Sequence, residues 1–133
     1  MKKLLILILL FFISCDITDS RFLRIENKSK NSIVCFISKV DISSIKDVSE
    51  MDAVIDVNID KSNSLALHGM KSRWEDYIEK CDIKKIRLYV IATDNVDKYG
   101  WKRIFKENIY NKKYLFTIED LDKINWEIEY NGD

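Results

Sequence analysis

The run KKIRLYVIAT, residues 84–93, decides the fold. Ile86, Leu88, Val90 and Ala92 alternate onto one side of an extended chain, and Tyr89 and Ile91 put apolar bulk on the other. β-Branched and aromatic residues favour a strand, and a strand that is apolar on both sides needs cover on both. The segment therefore reads as the central strand of a sheet. Ser32–Ser38 has the same character, because Ile33-Val34-Cys35-Phe36-Ile37 is apolar without alternation and also belongs in the middle of a packed structure.

Working outward, other runs alternate and so have one wet side. Trp126-Glu127-Ile128-Glu129-Tyr130 turns aromatic and aliphatic residues inward and carboxylates out. In Val54 to Ile59, alternation points Ile55, Val57 and Ile59 inward and Asp56, Asn58 and Asp60 to water. Phe22 to Glu26 is separated from Ser32–Ser38 by the turn-type cluster Asn27 to Asn31, which predicts a hairpin. Ser64 to His68 and Tyr114 to Phe116 read as further short strands. From Lys39 to Ala53 the pattern is weak, with Ile42, Ile45, Val48 and Met51 three apart, and predicts a loop with a short helix.

Three stretches have helical signals. Ser72-Arg73-Trp74-Glu75 is a capping box, and the helix it opens aligns Trp74, Tyr77, Ile78 and Cys81 on one side. Asp94 to Tyr99 reads as a polar connection, with Gly100 as N-cap of a helix to about Glu107 that buries Trp101, Ile104 and Phe105. Thr117-Ile118-Glu119-Asp120 caps a brief helix carrying Leu121 and Ile124. Seven short strands, no repeat and no proline predict a mainly β fold, an antiparallel β-sandwich-like domain with two or three short helices. An α+β sheet with helices on one face is the alternative.

The amino terminus is organised differently. Lys2 and Lys3 precede ten apolar residues, Leu4 to Ile13, then the small Ser14; this is the order of a secretory signal peptide over 1–14. Ten helical residues rise roughly 15 Å, about half the apolar thickness of a bilayer, so the segment is too short for a permanent span. The run Phe12-Ile13-Ser14-Cys15 resembles the lipobox of bacterial lipoproteins, with Phe12 where leucine is usual. The resemblance implies acylation of Cys15, which becomes the new terminus, and hence membrane attachment through an N-terminal lipid such as palmitate. Each buried methylene contributes about 0.8 kcal/mol, so two or three chains hold stably. Residues 15–21 then form the lipidated cysteine and a tether reaching at most ~20 Å, 22–130 a single globular domain and 131–133 a frayed end. Asp16 and Asp19 resemble acidic lipoprotein sorting signals but do not choose a leaflet.

Two of the 22 basic residues, Lys2 and Lys3, precede Cys15, whereas all 22 acidic residues follow it, so the mature portion has a net charge near −2. Basic and acidic residues interleave, as in Glu79-Lys80 and Asp82-Ile83-Lys84-Lys85, which argues against a nucleic-acid partner. In an oxidising compartment Cys35 and Cys81 are candidates for one disulfide; their apolar surroundings favour buried, unpaired thiols. Trp74-Glu75-Asp76-Tyr77, Tyr99-Gly100-Trp101 and the segment Thr117 to Tyr130 together resemble a group of small lipoproteins of gut-dwelling Gram-negative anaerobes, a resemblance that carries no activity with it.

Motifs with a chemistry are few. Asp56-x-Asn58-x-Asp60 matches the opening of a calcium loop, but Lys61 stands where the turn needs glycine and Leu67 where a bidentate Glu closes the shell, so no metal site is expected. His68 is the single histidine and reads as a strand-end residue. Glu75 with Asp76 and Glu119 with Asp120 are adjacent carboxylates explained by helix capping; two carboxyl groups from separate segments in one concavity would instead suggest a small envelope hydrolase. Trp74, Trp101 and Trp126 could stack on a glycan if exposed, yet each falls at an inward-phased position. The expectation is a non-catalytic, cofactor-free binding or accessory module of the cell envelope, its partner an envelope protein or glycan.

Overall fold

The computed structural model describes residues 19–59, 62–65 and 73–132. Cys15, His68, Asp60 and Ser72 lie outside them. Among the described residues there are seven strands: β1 (Leu23–Asn27), β2 (Ile33–Ser38), β3 (Asp52–Val57), β4 (Ser62–Leu65), β5 (Ile86–Ala92), β6 (Lys112–Phe116) and β7 (Glu127–Tyr130). The helices are α1 (Trp74–Glu79), α2 (Thr93–Glu107) and α3 (Ile118–Lys123). No helix of the described residues is long and apolar enough to cross a membrane.

The strands form two sheets, one of order β3-β2-β5-β6 and one of order β4-β1-β7. β2 and β5 are the inner strands of the larger sheet, antiparallel, with Cys35 opposite Val90 and Ile37 opposite Leu88. Every residue of β2 is buried, and so is every residue of β5 but Ala92. One face of the pair, Ile33, Cys35 and Ile37 with Ile86, Leu88 and Val90, packs against Leu23 and Ile25 of β1, Ile128 and Tyr130 of β7, and Trp74 and Tyr77 of α1. The opposite face, Phe36, Tyr89 and Ile91, is covered by Ile104 and Phe105 of α2 and by Ile42 and Ile45. The molecule is thus three layers, sheet, sheet and helix, and the mainly β, two-sheet expectation holds.

Several local readings change. β1 and β2 do not form a hairpin, because they lie in different sheets. The buried Asn27 turns the chain from one to the other: its Oδ1 accepts from Ser29 N (3.0 Å) and Ser29 Oγ (2.7 Å), and its Nδ2 donates to Asn31 O (2.8 Å). An alternating strand and a doubly buried strand need different surroundings, and that difference separates them. β1 pairs instead with β4, antiparallel, and with β7, parallel, Ile25 opposite Ile128. In β3 the inward residues are Ile55 and Val57, whereas Ile59 lies beyond the strand and is exposed. Residues 39–51 hold two 3-10 turns, Ile42–Ser44 and Val48–Glu50, capped by Asp41 and Asp47.

The polar stretch Asp94 to Tyr99 is helical rather than a connection. Gly100 interrupts the helix (φ 70°, ψ 155°), so the chain bends there and a second segment opens after it, the role that sequence assigns to Gly100 as a cap. Val96 and Tyr99 from the first segment and Trp101 from the second pack on the same core. A side chain at Gly100 would meet no atom within 4 Å, so the need for glycine is conformational. Gly100→Ala is expected to lower stability by about 1–3 kcal/mol through backbone strain alone. Urea unfolding followed by circular dichroism checks this; a gain in stability would show that the helix simply straightens.

Candidate binding surface

The first described residues are fastened to the domain. Asp19 Oδ1 accepts from Arg21 N and Nε (3.0 Å each), and Asp19 Oδ2 accepts from Arg21 Nη2 (2.7 Å) and from the backbone N–H of Trp74 (3.0 Å), the first residue of α1. An early N–H of the helix, unsatisfied within it, is thus met by a carboxylate 55 residues away. Asp76, not Glu75, folds back onto the start of α1, accepting from Arg73 N (3.3 Å). Glu75 accepts both its bonds from Arg21 Nη2, at 2.9 and 2.7 Å. The hydrogen bonds from Arg21 hold the Asp19 carboxyl well below the usual aspartate range, and Glu75 is lowered by the same guanidinium.

The clamp continues into the tryptophans. Trp74 Nε1 donates to Arg21 O (3.0 Å), and the Arg21 guanidinium sits 5.0 Å over the ring of Trp126. Trp126 lies 5.1 Å from Trp74 between ring centroids and donates from Nε1 to Asp122 Oδ1 (2.8 Å). Its backbone is left-handed (φ 62°), as is that of Asn125 (φ 51°), a strained conformation for a bulky residue. Contacts on every side hold it there: its N–H donates to Leu121 O (2.9 Å) and its carbonyl accepts from Arg24 N (2.8 Å).

The tryptophan positions bear directly on stacking. Trp74 and Trp126 are buried, and Trp101 is half-buried between Phe36 and Phe105. Trp74 and Trp126 belong to the core between the sheets, and Trp101 packs against the core beneath the helix. Cys35 and Cys81 are both buried and unbridged. Burial pushes the Cys35 thiol up to about 12 and raises that of Cys81 as well.

What is open is the outer face of the small sheet. A groove of about 360 Å³ there is bordered by Glu26 and Arg24 of β1, Glu127 and Glu129 of β7, Ser62 and Ile124. Glu26 stands opposite Glu129, and Arg24 opposite Glu127, in the parallel register, with Arg24 Nη1 3.4 Å from Glu127 Oε1. Carboxyl groups from two separate segments therefore meet in one concavity, a convergence invisible while Glu26 and Glu129 are 103 residues apart in sequence. Their setting is wet: the Glu26 and Glu127 side chains are 40% and 64% exposed. The groove suits recognition of cationic or hydrogen-bond-donating groups.

A second polar cluster is structural. The buried Arg87 donates to Asp82 and to Lys39 O (3.0 Å). Tyr89 Oη accepts from Ile42 N (2.9 Å) and donates to Asp41 Oδ2 (3.3 Å), which also accepts from Lys113. Tyr77 Oη and Lys39 Nζ both donate to Asp52 Oδ2 (2.9 Å each). These bonds tie the 39–52 segment over the end of the large sheet. Among the described residues no group of three or more Asp, Glu, His or Cys could hold a metal ion. Glu75, Asp76 and Asp120 serve α1 and α3 as capping and clamping groups.

Set against protein-family models, curated proteins and solved structures, the chain matches none of them.

A maleimide should leave Cys35 and Cys81 unmodified in the native protein and modify both once it is unfolded without reductant; modification that requires reductant would reveal a bridge. Asp19→Asn should destabilise the protein at pH 7. Because the folded-state pKa of Asp19 is depressed, its contribution is complete above the unfolded value, about 3.9, and fades as pH falls below it. The stability gap between wild type and variant should therefore narrow from pH 7 to pH 3 in denaturation followed by tryptophan fluorescence, and an unchanged gap would remove the clamp from the account.

Proposed function

We propose that the chain is a lipid-anchored protein of the cell envelope and that its domain is a non-catalytic binding module using the groove on the outer face of the small sheet. The observation that carries the binding reading is the convergence of Glu26, Glu127 and Glu129 from two hydrogen-bonded strands around an open concavity. A site on paired strands is pre-organised, and its carboxylates select a partner, protein or polymer, that presents cationic or donor groups. The anchor rests on the leader Lys2 to Ser14 followed by Cys15. Glycan binding, on this reading, uses the polar groove rather than stacked indoles.

Two variants of the full chain test the proposal. Mass spectrometry of the native product should find Cys15 as an acylated terminus, and Cys15→Ser should wash free without detergent. Co-purification from envelope fractions should recover a partner with wild type and lose it with Glu26→Gln/Glu129→Gln. An unmodified terminus would overturn the anchor; equal recovery would overturn the groove.

A further inference from the structure

The same end of the domain carries the clamp, the strained turn at Asn125 and Trp126, and two exposed apolar side chains, Phe22 (40% exposed) and Ile124 (38%). Phe22 and Asn125 border one shallow concavity of about 240 Å³ together with Arg24 and Glu127, and Ile124 borders the adjoining groove with the same Arg24 and Glu127. Lys123 and Asn125 are exposed beside them. The corner is therefore apolar at its tips and mixed in charge around them, a composition that tolerates a zwitterionic interface better than a strongly charged one.

Chain length says what lies against it. Residues 16–18 separate Cys15 from Asp19, and an extended chain covers at most about 3.6 Å per residue, so Asp19 stands no more than about 14 Å from an anchored Cys15. Were the chain held only from β1 onward, the span to Leu23 would allow about 29 Å. Fastening of Asp19 and Arg21 to Trp74 and Glu75 halves the reach and chooses which face is held close. The parallel pairing of β1 and β7 sends both strands away from this corner, so Asn27 and Tyr130 lie at the far end.

We infer that the corner formed by Phe22, Ile124 and Asn125 is a membrane-facing surface, seated on lipid headgroups by the Asp19–Arg21 clamp, with the domain standing upright on its anchor. The inference rests on the lipid-anchor reading above and adds an orientation to it. Its occupant is the bilayer surface, since the anchor leaves too little chain for another macromolecule to fit beneath this corner.

The test uses the acylated full chain in phosphatidylcholine vesicles. Single cysteines introduced as Asn125→Cys or Asn131→Cys carry an environment-sensitive fluorophore, the native Cys35 and Cys81 being buried. A nitroxide on the lipid headgroup should quench the label at 125 at least twofold more than the label at 131, and Arg21→Ala should reduce that contrast. Equal quenching in protein that floats with the vesicles would overturn the orientation alone. Protein that does not float, with an unacylated terminus, would overturn the anchor and the orientation together.

Discussion

Two-sided burial of β2 and β5 is the constraint on which this structure depends. Each strand sends alternate side chains into two separate cores, and the backbone between them is satisfied by neighbours on both edges. Such a pair is stable only when both faces are covered, and each buried aliphatic side chain contributes about 1.5–3 kcal/mol to the cover's attachment. On one side the cover is the small sheet with α1; on the other it is α2 with the 3-10 turn at Ile42. The bend at Gly100 follows from the second requirement, because both segments of α2 pack on the same core.

Polar groups are distributed by the same logic. Where a segment must lie over a sheet end, charged and hydroxyl groups tie it down, as Arg87, Tyr89 and Tyr77 do with Asp82, Asp41 and Asp52. Their burial raises both tyrosine hydroxyls well above the ordinary range, Asp52 adding to the effect on Tyr77 and Asp41 to that on Tyr89, so they remain neutral donors. In contrast, the carboxylates of the outer face close no core and hold no segment beyond short surface pairs with Arg24 and Lys28. Ion pairs of that exposure contribute little to folding, about 0–1 kcal/mol, so their concentration around a concavity is a feature of the surface rather than of stability.

On the proposed reading, the clamp, the corner and the groove act in sequence along β1. The clamp shortens the tether, the corner meets lipid, and the groove stands beside it on the same two strands. A rigid domain on a short tether presents its groove at nearly constant height, which raises the effective concentration of partners held in the same envelope layer.

Much of this was legible in the residues themselves. Periodicity alone marked β5 and β2 as doubly buried and β7 as half-buried, placed Trp74, Tyr77, Ile78 and Cys81 on one inward side, and located the Thr117 cap, because each is a property of neighbours within a few positions. Strand pairing is a different matter. The Asn27 turn looked like a hairpin because turn chemistry is local, whereas the choice between sheets is made by which faces must be covered, a property of the whole chain. The Asp19 and Arg21 clamp and the meeting of Glu26 with Glu129 were decided only in the folded state, since the partners are separated by more than fifty and a hundred residues and nothing in local propensity encodes such distances.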